Sequence, residues 1–222
     1  MHTKYYNTKG KEVPSVTTVM KVFYKEGLME WANFIGRQGQ DYKNTLSQKA
    51  TLGTYVHELI EADLLNKQPE ILQTLGVVKE AQTIANKFKC VKEDLIISNV
   101  QSELSLSSDT YGGTLDLICD IQIDGKPVKI LGDFKTSKTV YESQFIQLGA
   151  YLNLIKLNLP SIYKQIKYCM IFSITKEKVK VQYVTKANCE KYFTSLFLSL
   201  LDVYMTWQKI KNSTKLFSIK DY

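Results

Sequence analysis

The spacing of apolar residues changes near residue 95 of the chain. Before that point the sequence predicts four helices, and in the last two of them apolar residues recur at the three- and four-residue spacing of an amphipathic helix. The predicted helices cover residues 15–23, 28–42, 53–66 and 77–92. Beyond it, strand-like runs cover residues 95–106, 113–121 and 126–135. The Asp-Gly pair in "IDGK" predicts a tight turn between the last two of these strands.

The second half of the chain continues with alternating helix and strand patterns. The sequence predicts a helix at 142–158, strands at 167–174 and 178–184, and a helix at 186–211. No repeat or Pro/Gly-rich linker marks a boundary, so we expect one domain. Its predicted parts are a helical N-terminal region (1–93), a sheet core with an inserted helix (94–185) and a C-terminal helix (186–222). The fold class expected is α/β, with a central mixed β-sheet flanked by helices.

The stretch "KILGDFKTSK" breaks the pattern of a buried strand, because it ends on charged residues. Asp133 and Lys135 are two apart and therefore project from the same face, while Gly132 and Phe134 face the other way. The Asp-Gly hairpin places Asp116 on the neighbouring strand. We expect these two carboxylates and one ammonium group to converge.

A bound cation would account for this convergence, because burying an ionised carboxylate without a partner costs several kcal/mol. Two aspartates with a backbone carbonyl and water form an all-oxygen site, which suits Mg²⁺ or Mn²⁺ better than zinc. A neighbouring lysine could orient or help deprotonate the attacking water and stabilise charge on a phosphate. The alternative is a structural Asp133–Lys135 ion pair at an exposed strand end.

Composition narrows the class of partner. A formal net charge of +7 favours an anionic partner, with nucleic acid first and an acidic membrane surface second. The four cysteines form no CxxC pair, which argues against a zinc ribbon or iron–sulfur cluster and favours reduced, buried thiols. No signal-peptide pattern opens the sequence, and the run "YFTSLFLSLLDVYM" is shorter than a bilayer span. We therefore expect an intracellular, cytoplasmic protein of a bacterial or phage-infected cell, with no membrane partner.

Five motifs, in this order, resemble the RecB-like exonuclease branch of the PD-(D/E)XK nuclease superfamily. Asp116 followed by "DFK" resembles the D…(D/E)xK core, "GTYVHELIE" the GTxxHxxxE helix, and "QFIQLGAYLNLI" the QxxxY motif. "VPSVTTVMKVF" and "LMEWANFIGRQG" resemble the openings of the branch that includes mitochondrial genome maintenance exonucleases and related phage and bacterial proteins. The resemblance extends from about Val13 to Tyr151 and implies a restriction-endonuclease-like core.

The resemblance implies a role for each matching residue. Asp116, Asp133 and Lys135 would be catalytic. Metal ligands would be His57, Asp116, Asp133, the Phe134 carbonyl and, as an additional candidate, Glu103. Gln147, Tyr151, Thr136, Ser137, Lys138 and Glu61 would support the site or bind DNA.

Each of these assignments has a simpler alternative. His57 could be a satisfied core histidine, since it lies on an otherwise apolar helix face. Gln147 and Tyr151 could be the edge of an ordinary amphipathic helix, and Glu103 a solvent-facing strand residue.

The function expected from the resemblance is a Mg²⁺-dependent DNA exonuclease, with Mn²⁺ as a substitute and no iron–sulfur cluster. It would act on single-stranded ends or flaps in replication, recombination, repair or phage DNA processing, with a possible protein partner from those processes. Arg37, Lys43, Lys49 and Lys138 would follow the phosphate backbone. The alternatives are a structure-specific endonuclease and a non-catalytic DNA-binding accessory module that retains the fold.

Overall fold

The computed structural model describes residues 3–23, 28–70 and 75–213. Within them the chain forms a five-stranded sheet with helices on both faces, so the predicted mixed α/β fold is confirmed. The sheet order is β3-β4-β5-β6-β7, in which β5 and β6 are parallel and the other neighbours antiparallel. The strands are β1 (Tyr5–Tyr6), β2 (Glu12–Val13), β3 (Ser98–Ser107), β4 (Gly112–Ile123), β5 (Lys126–Lys135), β6 (Ile166–Ile174) and β7 (Val179–Thr185).

The helices lie before, within and after this sheet in sequence. They are α1 (Val16–Val19), α2 (Leu28–Arg37), α3 (Tyr42–Leu65), α4 (Leu75–Asp94), α5 (Glu142–Asn158), α6 (Pro160–Gln165), α7 (Lys186–Asn188) and α8 (Ser195–Lys211). A 3₁₀ turn (Met20–Val22) follows α1, and a π-helical segment (Cys189–Thr194) joins α7 to α8. The antiparallel pair of β1 and β2 and the short helix α6 were not predicted.

The turn between β4 and β5 has the predicted Asp-Gly chemistry. Asp124 and Gly125 both have positive φ, at 50° and 71°, as a two-residue hairpin turn of the I′ type requires. This turn sets the register of the two strands, which pair from Ile123 and Lys126 up to Leu117 and Gly132.

The helical boundaries near residue 40 differ from the prediction. The helix predicted over 28–42 ends at Arg37, and the helix predicted from residue 53 already begins at Tyr42. The Asp41 side chain accepts the backbone N–H groups of Lys43 at 2.7 Å and Asn44 at 3.4 Å. This N-cap satisfies free donors at the start of α3 and so fixes its first residue.

The C-terminal helix is not continuous, because the π-helical segment interrupts the predicted helix at 186–211. Gly149 of α5 packs there so closely that a Cβ atom would lie 2.5 Å from the Thr194 nitrogen. Thr194 donates its hydroxyl to the Gly149 carbonyl at 2.8 Å. Residues 214–222 of the predicted C-terminal part lie outside the described residues.

Two apolar clusters fill the space on either side of the sheet. One contains residues of α1, α5 and α8 together with Leu115, Ile118 and Leu131. The other contains residues of α3 and α4 together with Leu117, Cys119, Ile130 and Phe134. The sheet is therefore buried on both faces, which explains why β4 and β5 are rich in apolar residues.

In the part of the chain that the structure describes, no helix is long and apolar enough to cross a membrane. Cys119, Cys169 and Cys189 are buried free thiols, as predicted. Cys90 is also free but exposed, so the prediction of burial was wrong for this residue, which lies on an outward-facing position of α4.

Candidate active site

The candidate site lies where β4 and β5 stop pairing. Their ladder ends at Leu117 and Gly132, one residue before Asp116 and Asp133. Beyond this point, side chains form the hydrogen bonds to the backbone N–H and carbonyl of Phe134. Its N–H donates to Asp116 Oδ2 at 2.8 Å, and its carbonyl accepts from His57 Nε2 at 2.9 Å. Where the strands separate, a carboxylate and an imidazole therefore bind the backbone of the same buried residue, Phe134.

The alternation of β4 and β3 is broken at two residues that lie opposite each other. Leu115 packs in the apolar cluster that contains α1, α5 and α8, whereas Leu117 packs in the cluster on the other face, with α3 and α4. Residues two apart in a regular strand would share a face. Ser102 pairs with Leu117 and Leu104 with Leu115, so Glu103 lies opposite Asp116. Glu103 has a φ of 50°, a left-handed conformation that is strained for a non-glycine residue. Such irregularities turn side chains in a new direction next to functional sites.

His57, Glu103 and Asp116 form a cluster of potential metal ligands. Each offers one ligand atom, and these atoms all lie within 4.8 Å of one another. Because the Phe134 carbonyl can only accept, His57 Nε2 carries the hydrogen and Nδ1 has a free lone pair. Nδ1 lies 3.5 Å from Asp116 Oδ2. With neutral His57, two lone-pair atoms face each other, an arrangement that a cation between them would stabilise.

Asp133 and Lys135 lie beside this cluster as a buried ion pair. Asp133 is fully buried, and Lys135 Nζ contacts its Oδ2. The Lys135 ammonium therefore partners Oδ2, while Oδ1 has no hydrogen-bond donor among the described residues. A buried carboxylate with one unsatisfied oxygen is costly to maintain unless a further ligand binds there.

The carboxylates of this pair of strands hold protons more tightly than usual. Burial raises the pKa of Asp133 to about 6, and the charge of Asp116 adds to the rise while Lys135 opposes it. Burial also raises the pKa of Asp116, against the charge of Lys135 and the N–H of Phe134. Burial would lower the pKa of Lys135, but the charges of Asp133 and Asp116 prevail and raise it. Lys135 is therefore a cation at neutral pH.

His57 and Glu103 are shifted in ways that suit a metal ligand. Burial, followed by the charge of Lys135, lowers the pKa of His57 to about 4, although 26% of its side chain remains exposed. Burial and the charges of Asp116, Glu61 and Glu58 raise the pKa of Glu103 to about 7. Burial is the largest of these causes of the raised Glu103 pKa, and the three carboxylates add to it. A cation in their midst would relieve this repulsion.

The residues present fit a divalent cation. The unsatisfied Oδ1 of Asp133 and the free Nδ1 of His57 are the two observations that favour one. The cluster that the structure brings together is His57, Glu103 and Asp116, whereas Asp133 is engaged with Lys135 and the Phe134 carbonyl with His57. One nitrogen and several carboxylate oxygens form a donor set that suits Mn²⁺ or Mg²⁺. The full predicted ligand set stays a prediction.

Helix α5 contributes Gln147 and Tyr151. Gln147 Nε2 donates to Tyr151 Oη at 2.7 Å. Burial, with the charges of Asp133 and Asp116, raises the pKa of Tyr151 well above its usual range, so the phenol stays protonated next to the carboxylates. Gly113 makes room for its ring, because a Cβ atom there would lie 2.7 Å from Tyr151 Cε1.

The other predicted supporting residues lie around the site rather than in the cluster. Glu61 accepts from Lys67 Nζ at 2.8 Å. Thr136 Oγ1 faces Gly53 of α3, 3.6 Å from the position of a Cβ atom there. Ser137 holds the loop after β5, since Gln144 Nε2 donates to its Oγ at 3.3 Å. Lys138 is exposed and 3.7 Å from Glu177.

The remaining predicted basic residues belong to α2 and α3. Arg37 and Lys43 are exposed near the connection of these helices. Lys49 Nζ lies 4.8 Å from the ring centroid of Trp31, a cation–π contact that joins the two helices. The structure therefore gives Lys49 a structural partner in addition to its predicted role.

The sequence did not predict two features of the site. One is the break in alternation at Glu103 and Asp116, for which the sequence has no glycine or proline signal at either position. The other is a hydroxyl chain beside the site, in which Thr114 Oγ1 lies 2.9 Å from Tyr5 Oη and 2.7 Å from Ser105 Oγ. Tyr5 comes from the unpredicted β1–β2 pair, and only the long-range fold places it there.

No protein-family model matches the sequence, and no curated protein is significantly similar to it. Several solved structures are distantly similar. A proposed exonuclease of Eubacterium rectale is 14% identical with a TM-score of 0.49, covering 79% of this chain and 76% of that one. An alkaline exonuclease of Laribacter hongkongensis is 15% identical with a TM-score of 0.35, covering 90% and 92%. A phage-related exonuclease of Haemophilus somnus is 8% identical with a TM-score of 0.29, covering 88% and 96%.

Proposed function

We propose that this protein is a metal-dependent DNA exonuclease that hydrolyses phosphodiester bonds. The observation that carries the proposal is Asp133, a fully buried carboxylate that is paired through Oδ2 with a charged lysine and has no donor for Oδ1 among the described residues, next to Asp116. With His57 and Glu103 close by, this arrangement supplies ligands for a cation and a positive group for a phosphate.

A bound divalent cation would supply positive charge to the scissile phosphate and lower the pKa of water beside it. His57, Glu103, Asp116 and Asp133 would hold it. Mg²⁺ is the proposed ion, with Mn²⁺ binding more tightly because imidazole is a better ligand for transition metals than for Mg²⁺.

The protein's own groups would share the remaining work. Lys135, which carries a proton at neutral pH, would donate hydrogen bonds to the attacking water or to a phosphate oxygen and would not act as a base in this state. Tyr151, protonated and bonded to Gln147, would donate its hydroxyl towards the Asp133 side of the site. Both groups stabilise negative charge that develops on the phosphate.

The test is hydrolysis of end-labelled single- and double-stranded DNA by purified protein with Mg²⁺, Mn²⁺ or EDTA. We expect cleavage with either metal and none with EDTA. Asp116→Asn should lower the rate on the order of 10²-fold or more. The matched control is Asp120→Asn, which removes a carboxylate from the same strand where it pairs with Lys129 at 2.7 Å, away from the site. Equal rates in these two variants would overturn the assignment.

A closed circular single strand separates the proposed exonuclease from an endonuclease. An enzyme that needs an end leaves the circle intact, whereas cutting of the circle at the linear rate would identify an endonuclease. Binding of DNA without metal-dependent cleavage would instead identify a non-catalytic module. Measuring release from either labelled end also reveals the polarity.

A further inference from the structure

A cavity of about 370 Å³ lies at the end of the sheet where the candidate site is found. Its size falls in the range of small-ligand sites, roughly 300–1,000 Å³. Residues of the loop after β5 and of the β6–β7 hairpin line it: Lys138, Ser173, Thr175, Glu177, Lys178 and Lys180. The carboxyl ends of the parallel strands β5 and β6 meet at this edge, a place where α/β sheets bind ligands.

The strand register connects this cavity to the candidate active site. Lys135 pairs with Ser173, and Ser173 pairs with Lys180, so these three residues form a row across β5, β6 and β7. Strands are about 4.8 Å apart, which puts the backbone of Lys180 about 10 Å from that of Lys135. Leu131 and Ile171 pack in the apolar cluster that contains α5. Asp133 and Ser173 lie two residues further along the same strands, so both project towards the face of the sheet that carries α5.

The cavity is strongly basic. Lys138, Lys178 and Lys180 line it, and the only acid among its lining residues is Glu177. The Lys138–Glu177 pair is 3.7 Å apart with side chains 82% and 63% exposed, so the pair is screened by water and neutralises little. Lys176 does not contribute, because it pairs with Glu80 of α4 at 2.8 Å.

Hydrogen bonds hold the walls of this cavity in place. Ser173, which is fully buried, donates to the Ser137 carbonyl at 2.6 Å. Lys180 Nζ donates to the Lys138 carbonyl at 3.3 Å and has further N–H groups to offer. Thr175 donates its hydroxyl to the Lys178 carbonyl at 2.9 Å, which fixes the hairpin turn. The lysines therefore project from a supported frame.

We propose that this cavity binds a backbone phosphate of the nucleic-acid strand, close to the phosphate at the metal centre. The inference rests on the proposed nuclease function, and it names Lys178 and Lys180 as the residues that hold the neighbouring part of the substrate. An ammonium group is a strong point-charge partner for a phosphate oxygen, and the register puts Lys180 two strands from Lys135, about 10 Å across the sheet.

The test is binding of a fluorescein-labelled oligothymidylate in EDTA, which prevents cleavage, measured by anisotropy at several salt concentrations. The variant Lys178→Glu/Lys180→Glu should raise Kd by about tenfold or more. The slope of log K against log salt should become less steep by about 0.7 for each phosphate that no longer has a lysine partner. Lys178→Arg/Lys180→Arg keeps the charge and should bind as wild type does.

The matched control is Lys126→Glu/Lys167→Glu. These exposed lysines lie at the beginning of β5 and β6, at the opposite end of the sheet, and the control changes the net charge by the same amount. We expect its slope to equal that of wild type. An equal loss in both double variants, no loss in either, or no binding by wild type would overturn the inference. Thermal unfolding checks folding, and Lys178→Gln/Lys180→Gln replaces the charge reversal if that variant is unstable.

The two proposals fail in different ways. If wild type binds the oligonucleotide with the expected slope change in the variant but never hydrolyses it with Mg²⁺ or Mn²⁺, the nuclease proposal is wrong and the phosphate site stands. If wild type hydrolyses DNA and the cavity variant keeps the wild-type slope, the nuclease proposal stands and the phosphate site is wrong. Competition by inorganic phosphate at equal ionic strength then shows whether the cavity prefers free phosphate to a nucleic-acid strand.

Discussion

The carboxylate of Asp116 accepts the backbone N–H of Phe134 at 2.8 Å, at the place where their two strands no longer pair. A side chain thus replaces a ladder hydrogen bond and also becomes part of a candidate metal centre. The same group supports the fold and the chemistry, and substitutions can separate these two roles.

Asp116→Asn and Asp116→Ala should differ in stability. Asn keeps an oxygen for the Phe134 N–H, whereas Ala leaves that donor without a partner. We expect the Ala variant to be about 1–3 kcal/mol less stable than the Asn variant in urea denaturation with EDTA. Both should lose the increase in Tm that Mg²⁺ or Mn²⁺ gives wild type. Equal stability of the two variants would contradict the role of this hydrogen bond.

Asp133 and Lys135 should be strongly coupled. Lys135→Met alone leaves a buried charge without its partner and should cost about 3–5 kcal/mol. In an Asp133→Asn background the same change should cost much less, which a double-mutant cycle measures. The control cycle uses Asp120 and Lys129, because Asp120 also accepts from Asn99 at 2.7 Å and keeps a partner. A coupling energy no larger than that of the control would contradict the prediction.

The metal-free protein should become less stable as pH rises through about 7. Glu103 has a pKa of about 7 in the folded state against an ordinary 4.5, so the folded protein binds this proton more tightly. That stabilisation is lost between these two values as pH rises. Asp133 acts in the same direction between 3.8 and about 6. His57 acts in the opposite direction, because its pKa falls from 6.5 to about 4 and folding then loses stability as pH falls.

Above about pH 6.5 the decline should therefore come from Glu103. Thermal unfolding in EDTA between about pH 6.5 and 8 measures it, and Glu103→Gln should remove it. Saturating Mg²⁺ should reverse the trend, since a cation competes with protons for these carboxylates. A wild-type Tm that is constant over this range in EDTA would disprove the assignment.

Gly113→Ala should displace Tyr151. The added Cβ atom would lie 2.7 Å from Tyr151 Cε1 and 3.0 Å from Val16 Cγ2, so a buried ring must move. We expect a loss of about 1–3 kcal/mol in stability and a lower rate of DNA hydrolysis. Gly36→Ala is the control, because a Cβ atom there has nothing within 4 Å and alanine favours the helix. If Gly113→Ala hydrolyses DNA as wild type does, the position of Tyr151 is not critical.

Local patterns predicted the features that depend on neighbouring residues. The Asp-Gly turn set the β4–β5 hairpin, and strand alternation placed Asp133 and Lys135 on one face. The break at Glu103 and Asp116 could not be predicted, because it results from packing against two different clusters. A pattern of alternating residues would assign Leu115 and Leu117 to the same face, which the structure does not show.

Long-range contacts explain the other misses. The β1–β2 pair has strands of two residues each, too short for a periodic signal, and Tyr5 packs over Gly112, where a Cβ atom would lie 2.5 Å from the tyrosine. The basic cavity joins the loop after β5 with the β6–β7 hairpin, segments about forty residues apart in sequence. The residues next to Lys138, Lys178 and Lys180 in the sequence do not indicate that these lysines line one cavity.

His57 reaches the cluster from α3, whereas Glu103 and Asp116 come from adjacent strands of the sheet. A cation held by all three would therefore tie a helical layer to the sheet at one point. Opening of α3 would have to break that link, so the ion would act as a reversible crosslink between layers. Amide hydrogen exchange in α3 should slow when metal is added, and the same metal should have little effect on exchange in α8, which packs on the opposite face.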